Sequence, residues 1–273
     1  MERPEVSIIS LAFNQAPYIR ECLDGIVSQQ APFTFEVIVN DDASTDGTAD
    51  IIREYAARYP DIVRPVFHSE NQYSRHRDFN RILAPLVGMA RGRYIAFCEG
   101  DDYWTDPHKL QKQVGFMDAR PELSICFTDF SRYFQESGRT EPGILTEKDE
   151  LTIDDMLDYN QISTPTAMVR AGILRDVMTE LCRGRAYAMA DYPMWLEVMQ
   201  HGNAGRINSA MVNYRVLTES ASHFTSKKKF FHFLLSGHDV QIFYARKYHR
   251  NVFRQRYRKL RRILGYYLYR RWL

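Results

Sequence analysis

Three carboxyl side chains lie within four positions, directly after a run of strand-like residues. The run covers residues 94–97, and the acids are Glu99, Asp101 and Asp102. Carboxylates crowded at the end of a buried strand repel one another and lose hydration, so they need a compensating partner. A hard divalent cation that also holds substrate phosphates would supply it. A solvated acidic turn is the alternative, and these residues alone do not decide between the two.

Two other strand-like runs are also followed directly by candidate site residues. They are 6–11, followed by Phe13 and Asn14, and 35–40, followed by Asp41 and Asp42. Strands alternate with helical segments in this part of the chain, which is typical of βαβ units and a mostly parallel sheet. In such a sheet the ligand binds at the carboxyl ends of the strands. We therefore predict an α/β fold with a helix-flanked central sheet, and one site to which all three patches contribute.

The hydrophobic spacing predicts where the other elements begin and end. Helices are expected at 18–29, 49–59, 77–90, 109–118 and 191–199, and strands at 62–67, 94–98, 123–128, 162–169 and 213–216. Pro85 should end or kink the helix that contains it. Residues 133–152 are expected to be rich in loops, and the C-terminal segment to be helical.

Length and composition predict one globular domain, or one domain with an appendage. The 273 residues are 45% hydrophobic and 26% charged, and no apolar run approaches the roughly 20 residues that span a bilayer. The four cysteines are scattered and no signal-like stretch is present, so we expect reduced thiols, a cytoplasmic location and no zinc site. The net charge of +2 hides an asymmetry, because fourteen Lys and Arg lie between Ser220 and Leu273 against the single acid Asp239.

Phosphate-binding glycine loops are missing from the sequence. The turn after the first strand, residues 12–16, has no glycine, and no Walker-type loop occurs. A dinucleotide-binding oxidoreductase is therefore excluded, and metal becomes the candidate for holding phosphate.

Five segments follow in order: VSIISLAFN (6–14), VNDDASTDGT (39–48), ARGRYIAF (90–97), EGDDYW (99–104) and DYPMWL (191–196). Together they resemble the family-2 glycosyltransferases over about residues 5–220, which implies the nucleotide-sugar-binding GT-A fold.

The resemblance implies a binding site for a nucleoside-diphosphate sugar. Phe13 would stack on the base, unless it is a core residue at a strand end. Asp42 would accept a hydrogen bond from the base edge, which suits a uracil or thymine N–H. Asp41 would brace the loop, although the two acids could exchange roles, and Asp46 would only cap the next helix. The donor-binding residues implied in this way are Leu11, Phe13, Asn14, Asp41, Asp42, Arg77, Glu99, Gly100 and Asp101.

The acidic run occupies the family's Asp-x-Asp position, with Glu in place of the first Asp. Glu99 would face the ribose or a metal-bound water. Asp101 or Asp102 would bind Mg²⁺ or Mn²⁺, which bridges the diphosphate oxygens and neutralises the leaving group. His223 would reach the diphosphate or the metal from the C-terminal side.

Two further positions follow from the same resemblance. Asp191 matches the general base of inverting members, which deprotonates the acceptor hydroxyl. The family commonly has Glu-Asp there, whereas Ala190 precedes the Asp in this chain, and capping of the following helix is an additional or alternative role. A phosphate contact is expected from Arg75, His76 or Arg77, and a solvated basic loop is the alternative.

The C-terminal segment is the part least like the family. We expect a catalytic domain at 1–220 and a basic, helical extension at 221–273. In that extension an apolar stripe is formed by Tyr257, Leu260, Leu264, Tyr267 and Leu268. Such a helix suits an anionic membrane surface. Packing on the chain's own domain or on a second copy, as in a homo-oligomer, is the alternative. No nucleic-acid reader motif accompanies it, so nucleic acid is not expected as a partner.

These observations together predict an enzyme with hexosyltransferase-type chemistry. It would transfer a sugar, with metal assistance and inversion, from a UDP- or dTDP-sugar to a hydroxyl of a growing cell-surface glycan or lipid-linked acceptor. It would work as a peripheral protein at the inner face of the plasma membrane, with residues 133–165 setting acceptor specificity. Two alternatives stay open: a sugar-nucleotide nucleotidyltransferase, and a catalytically silent homologue that binds nucleotide or glycan.

Overall fold

The computed structural model describes residues 3–218 and 226–269. Strands and helices alternate in its first half. The elements are β1 (Val6–Ala12), α1 (Ile19–Val27), β2 (Phe35–Asp41), α2 (Thr48–Arg58), β3 (Val63–Phe67), α3 (Gln72–His76), α4 (Phe79–Met89) and β4 (Tyr94–Phe97). The strands lie side by side in the order β3-β2-β1-β4, and each neighbouring pair is parallel. The carboxyl ends of β1, β2 and β4 are therefore adjacent.

The second half extends the same sheet in mixed orientation. Its elements are β5 (Tyr103–Trp104), α5 (Lys109–Asp118), β6 (Leu123–Phe134), β7 (Arg139–Gly143), β8 (Glu150–Leu151), α6 (Ile153–Met156), β9 (Met168–Arg170), α7 (Ala171–Arg183), α8 (Asp191–Val198) and β10 (Asn203–Val216). The full order is β3-β2-β1-β4-β9-β6-β10-β5, and β9 is antiparallel to both β4 and β6. The predicted α/β fold with a helix-flanked sheet is confirmed, and its parallel part consists of the first four strands and the β6–β10 pair.

Alternating side chains of the central strands fill two cores, one on each face of the sheet. In β1, Ile9 packs into the core on the side of α4, α7 and α8, whereas Ile8 packs into the core on the side of α1, α2 and α5. Successive side chains of a strand point to opposite faces, so a strand buried on both faces reads as a continuous apolar run. This explains why β1 and β2 were visible in the sequence.

Several predicted elements differ from the structure. The strand expected at 213–216 is the end of the longer β10, and the loop-rich range 133–152 contains β7 and β8. Residues 162–169 were expected to form one strand, but Thr164–Thr166 is a 3₁₀ turn and only Met168–Arg170 pairs as β9. Pro165 has no N–H to donate to a ladder, which favours the turn. Pro85 lies inside α4 without ending it, because the buried Leu86 and Val87 hold the last turn against the core. The expected loop before α4 contains the short helix α3.

The C-terminal part forms two helices, α9 (Lys227–Lys247) and α10 (Phe253–Tyr269). Val240, Tyr244 and Ala245 of α9 are buried in the same core as α8. Glu197 of α8 accepts hydrogen bonds from the Tyr244 hydroxyl at 2.8 Å and from Lys247 Nζ at 2.5 and 2.7 Å. Thus α9 packs on its own chain, while α10 packs mainly on α9. None of the helices in residues 3–218 and 226–269 has the length and hydropathy of a membrane span.

A buried carboxylate fastens the amino ends of the central strands. Glu36 in β2 is fully buried and accepts hydrogen bonds from Ser7 Oγ at 2.7 Å, Arg91 Nη2 at 2.6 Å and Arg64 Nη1 at 2.7 Å. Burial alone would raise the pKa of Glu36, but the hydrogen bonds from Arg91, Ser7 and Arg64 outweigh it and lower that pKa to about 2. The ionised form is therefore stabilised by folding.

We expect Glu36→Gln to lower the free energy of unfolding at pH 7 by about 3 kcal/mol, which is the free-energy equivalent of the pKa shift. Because the folded pKa is depressed, the stabilisation is present above the ordinary glutamate value and is lost as the pH falls toward 2. Denaturant unfolding across this pH range should show the wild-type and variant proteins converging in acid. Glu54→Gln, which breaks an exposed pair with Arg20, is the control and should change little. A difference that did not depend on pH would contradict the assignment.

Candidate functional site

The first two loops at the carboxyl edge of the sheet are fastened to each other. Backbone N–H groups of residues 14–16 donate to side chains of the loop after β2: Asn14 to Ser44 Oγ at 2.8 Å, Gln15 to Thr48 Oγ1 at 2.8 Å and Ala16 to Asp46 Oδ2 at 2.9 Å. In return, Thr45 N donates to Asn14 Oδ1 at 2.8 Å. Asn14 and Asp46 therefore serve to hold the loops together, and Asn14 adopts a left-handed backbone with φ of 52°.

This bracing leaves Phe13 at the surface of the site. Its side chain is 47% exposed, so it is not the core residue that the alternative interpretation required. Leu11, two residues earlier, is half-buried, and its carbonyl accepts a hydrogen bond from Gly100 N at 3.0 Å. The Leu11 carbonyl thus joins the end of β1 to the acidic loop after β4, and Phe13 provides an exposed aromatic face beside it.

The two acids after β2 have different surroundings. Asp42 accepts from the backbone of α3, with Gln72 N at 2.6 Å and Tyr73 N at 3.0 Å. Asp41 accepts from Ser44 N at 3.3 Å through Oδ2, while its buried Oδ1 has no hydrogen-bond partner among the described residues. Of the two roles considered for this pair, bracing is what Asp42 does here. The carboxylate oxygen left for a ligand belongs to Asp41.

The acidic loop is tightly packed around Gly100. A Cβ at this position would lie 2.3 Å from Gln15 Oε1 and 2.8 Å from Ile19 Cδ1, so only glycine fits without displacement. Gln15 also hydrogen-bonds Asp101 through its side chain. The Oε2 of Glu99 is buried without a hydrogen-bond partner in the part of the chain that the structure describes.

The three acids of this loop share a high cost of ionisation. Burial, followed by repulsion from Asp101 and Asp191, raises the pKa of Glu99. Burial likewise raises the pKa of Asp101 and, with repulsion from Asp101 and Glu99, raises that of Asp102 well above its usual value. Charges that are buried together in this way favour binding of a cation.

Asp102 is turned toward the protein interior. It is buried, and its Oδ1 accepts a hydrogen bond from the backbone N–H of Arg215 at 2.7 Å. The Arg215 guanidinium donates from Nε to the Asp101 carbonyl at 2.7 Å and from its terminal nitrogens to Gln135 and Glu21. Arg215 therefore fixes the backbone of the acidic loop.

Arg215 was not identified from the sequence as a site residue. Its side chain lies among three rings, 4.9 Å from the centroid of Tyr18, 5.1 Å from Tyr103 and 5.3 Å from Tyr133. Cation–π contacts of this kind stabilise a buried guanidinium on the sides where no carboxylate contacts it. Nothing in the local sequence signals this role, because the partners come from three distant segments.

Asp191 is the first residue of α8 and lies close enough to Glu99 to raise its pKa by repulsion. Burial raises the pKa of Asp191, while hydrogen bonds from Asn160 and Thr164 oppose that effect. Asn160 Nδ2 donates to Asp191 Oδ2 at 2.8 Å. A carboxylate with a raised pKa, held by a neutral donor, is suited to accept a proton near neutral pH. Asn160 and Thr164 lie in the region 133–165 that was expected to set acceptor specificity, but neither was identified beforehand as a site residue.

The basic residues before α4 are exposed. Arg77 ends α3 in a left-handed conformation with φ of 50°, and Arg75 lies 4.0 Å from Glu70. The structure therefore places this group on the surface beside the Asp42 loop without selecting one phosphate contact. His223 lies outside the described residues.

The oxygen ligands available at the acidic loop fit a hard divalent cation. Within residues 3–218 and 226–269, no group of three His, Cys, Asp or Glu has the spacing to hold a metal by itself. The site does offer carboxylate oxygens, and Glu99 Oε2 is buried and unpartnered among the described residues. Mg²⁺ is typically held by one or two carboxylates together with substrate phosphates, and this arrangement matches such a site.

The fold and the ordered acidic loops define a class of protein. Residues 7–178 match the family model described as glycosyl transferase family 2. The chain belongs to this family.

Two relatives illustrate the relationship. Rv1520 of Mycobacterium tuberculosis is 44% identical over 166 residues, covering 60% of this chain and 46% of that protein. This chain thus spans less than half the length of that relative. WfaP of Escherichia coli, named as a UDP-Glc:α-D-GlcNAc-diphosphoundecaprenol β-1,3-glucosyltransferase, is 30% identical over 220 residues, covering 80% of this chain and 79% of WfaP.

A solved structure supports the fold. Residues 1–349 of Staphylococcus aureus TarS, crystallised in complex with UDP-GlcNAc, align with a TM-score of 0.68 and 18% identity. The alignment covers 97% of this chain and 76% of the TarS chain. This likeness confirms the GT-A fold that the sequence predicted.

Gly100→Ala should distort the acidic loop. We expect a loss of about 1–3 kcal/mol in the free energy of unfolding, because the added methyl overlaps Gln15 and Ile19. Gly115→Ala in α5 is the matched control, since no described atom lies within 4 Å of its added Cβ. That control should gain about 0.5–1 kcal/mol from the reduced flexibility of the unfolded chain. Denaturant unfolding measures both, and equal stability of the two variants would show that the loop is not tightly packed.

Proposed function

We propose that the protein is a metal-dependent, inverting glycosyltransferase that moves a sugar from a UDP- or dTDP-sugar to a hydroxyl of a glycan. The observation that carries the proposal is the meeting of an exposed aromatic ring, a largely buried cluster of acids and a separate half-buried Asp at one edge of the sheet. Phe13 supplies the ring, and the loop from Glu99 to Asp102 supplies the acids. Asp191 is the separate carboxylate.

The base of the donor is held between the first two loops. Phe13 stacks on it, since every nucleobase offers an aromatic face. The unpartnered Oδ1 of Asp41 accepts the imide N–H of uracil or thymine, which replaces the assignment of this contact to Asp42. The TarS structure, which was crystallised with UDP-GlcNAc, supports a UDP-sugar as the donor.

Asp101, with Glu99 beside it, would hold Mg²⁺ or Mn²⁺ against the diphosphate. When bound, the ion supplies Lewis-acid neutralisation of the leaving diphosphate. Asp102 contributes from behind, because its carboxylate receives the Arg215 N–H and keeps the loop in place. Glu99 would face the ribose or a metal-bound water, and either would give its buried oxygen the partner that the described residues do not provide.

Asp191 acts on the acceptor. Its carboxylate takes the proton of the acceptor hydroxyl as that oxygen bonds to the anomeric carbon, while the bond from this carbon to the diphosphate oxygen breaks. Asn160 keeps the carboxylate oriented through the 2.8 Å hydrogen bond. Attack from the side opposite the diphosphate inverts the anomeric configuration.

The acceptor is a glycan on a lipid carrier at the inner face of the plasma membrane. The name of WfaP, whose acceptor is a diphosphoundecaprenol-linked sugar, supports this class. A surface groove of about 480 Å³ lies beside Asn160, and its lining includes Leu145 and Tyr159. Carbohydrate rings stack well on exposed aromatic and aliphatic side chains, so this groove is a suitable place for acceptor sugars.

Asp191→Asn should reduce sugar transfer by about a hundredfold or more while leaving donor affinity unchanged, because the variant cannot take the proton. Isothermal titration with UDP- and dTDP-sugars gives the affinity, and product analysis gives the rate. Asp176→Asn on the exposed side of α7 is the control and should behave as wild type. Transfer at the wild-type rate in Asp191→Asn would remove Asp191 from the mechanism.

Chelation should abolish nucleoside-diphosphate release from the donor, and Mn²⁺ or Mg²⁺ should restore it. The identity of the product also separates the competing functions. Release of nucleoside diphosphate supports sugar transfer, whereas pyrophosphate would indicate a nucleotidyltransferase. Nucleotide binding without either product would indicate a silent homologue. Full turnover in the presence of chelator would contradict the role of Asp101.

A further inference from the structure

Helix α10 carries an apolar stripe that faces solvent. Its members occur at alternating intervals of four and three residues, which places them on one face of the helix. They are Phe253, Tyr257, Leu260, Leu264 and Tyr267, with exposed fractions of 73%, 52%, 52%, 47% and 72%. The side chain of Leu268 lies outside the described part.

The opposite face of α10 fixes its orientation. Tyr266 stacks on Phe231 of α9 with ring centroids 3.9 Å apart and an interplanar angle of 9°. Lys259 Nζ pairs with Asp239 of α9 at 2.5 Å, and Arg258 pairs with Asp158 at 2.9 Å. Because these contacts hold the inner face, the apolar stripe points away from the rest of the molecule.

Cations surround the stripe. Between residues 253 and 269 the chain has six Lys and Arg and no acid. Arg256 and Arg261 are exposed and have no ion pair within the described ranges, and the helical period puts them on opposite flanks of the stripe. Lys227–Lys229 at the start of α9 are also exposed, one turn before Phe231. They therefore add positive charge beside the C-terminal end of α10.

We propose that α10 lies in the interfacial plane of an anionic bilayer, with this stripe inserted between the lipids and the flanking cations on the headgroups. An exposed apolar face flanked by Arg is the arrangement that binds such a surface. A second copy of the chain is the less suitable occupant, because pairing two α10 helices would bring their Arg side chains together without any acid to compensate.

The docking face is connected to the acceptor side of the site. Arg258 reaches Asp158, which lies two residues before Asn160, and Asn160 holds Asp191. Asp158 and Tyr159 also line the groove assigned to acceptor sugars. This inference deepens the proposed function, and rests on it for the statement that a lipid-linked acceptor reaches this groove from the bilayer.

Sedimentation with vesicles tests the docking without any sugar transfer. The full chain should bind vesicles of phosphatidylcholine with phosphatidylglycerol, and binding should weaken with salt and be lost on phosphatidylcholine alone. Leu260→Ser with Leu264→Ser should weaken binding by about tenfold or more, because apolar insertion is lost. Arg256→Gln with Arg261→Gln should weaken it by about thirtyfold at low salt.

The control is Met89→Ser, which removes an exposed apolar side chain of α4 outside both α10 and the acceptor groove and should bind as wild type. Donor hydrolysis without vesicles should be the same in the α10 variants as in wild type. If wild type itself showed no hydrolysis, the proposed function would be overturned and the docking would not. Equal vesicle binding by wild type and the α10 variants would overturn the docking. The docking would also be overturned if the wild-type protein did not bind vesicles and light scattering showed it to be a dimer that only the Leu260/Leu264 variant loses.

Discussion

The structure depends on a set of carboxylates buried beside one another at the carboxyl edge of a parallel sheet. Burial makes ionisation of Glu99, Asp101 and Asp102 unfavourable, and each raises the cost for its neighbours. A fold does not keep such a cluster for stability, since well-packed apolar side chains would be better there. The surrounding contacts therefore hold the acids in place, as the proposed binding of a cation together with a phosphate ligand requires.

The nearest fixed positive charge does not neutralise this cluster. Arg215 is buried next to it, yet its Nε donates to the carbonyl of Asp101, and its terminal nitrogens go to Gln135 and Glu21. Its backbone N–H serves Asp102. The guanidinium thus shapes the loop, and its charge offsets the raised pKa of Asp101 only in part. This separation between positioning and neutralisation suits the proposed site, in which a cation binds together with the substrate.

The sequence predicts the convergence of the three loops because it follows from parallel pairing of strands that are recognisable as continuous apolar runs. It could not predict contacts made across long sequence separations. Arg215 lies 113 residues from Asp102, and its hydrogen bond to that carboxylate comes from the backbone N–H, which leaves no residue-type signal. The hydrogen bonds that Asp42 accepts from α3 could not be anticipated, because α3 itself was not predicted. The prediction of a strand through Pro165 was wrong because residues 164–166 form a 3₁₀ turn, which leaves only the three residues of β9 to pair in the sheet.

Helix α8 explains how the C-terminal extension and the reaction centre can belong to one mechanical unit. Asp191 occupies its first position, and Glu197, one residue before its end, holds α9 through Tyr244 and Lys247. A helix of eight residues is only about 12 Å long. The side chain proposed to receive the acceptor's proton and the anchor of the C-terminal helices therefore belong to one short helix. Since α10 packs on α9, the proposed docking of α10 on a bilayer would set the height of Asp191 above the lipids and present a lipid-borne hydroxyl at a defined depth.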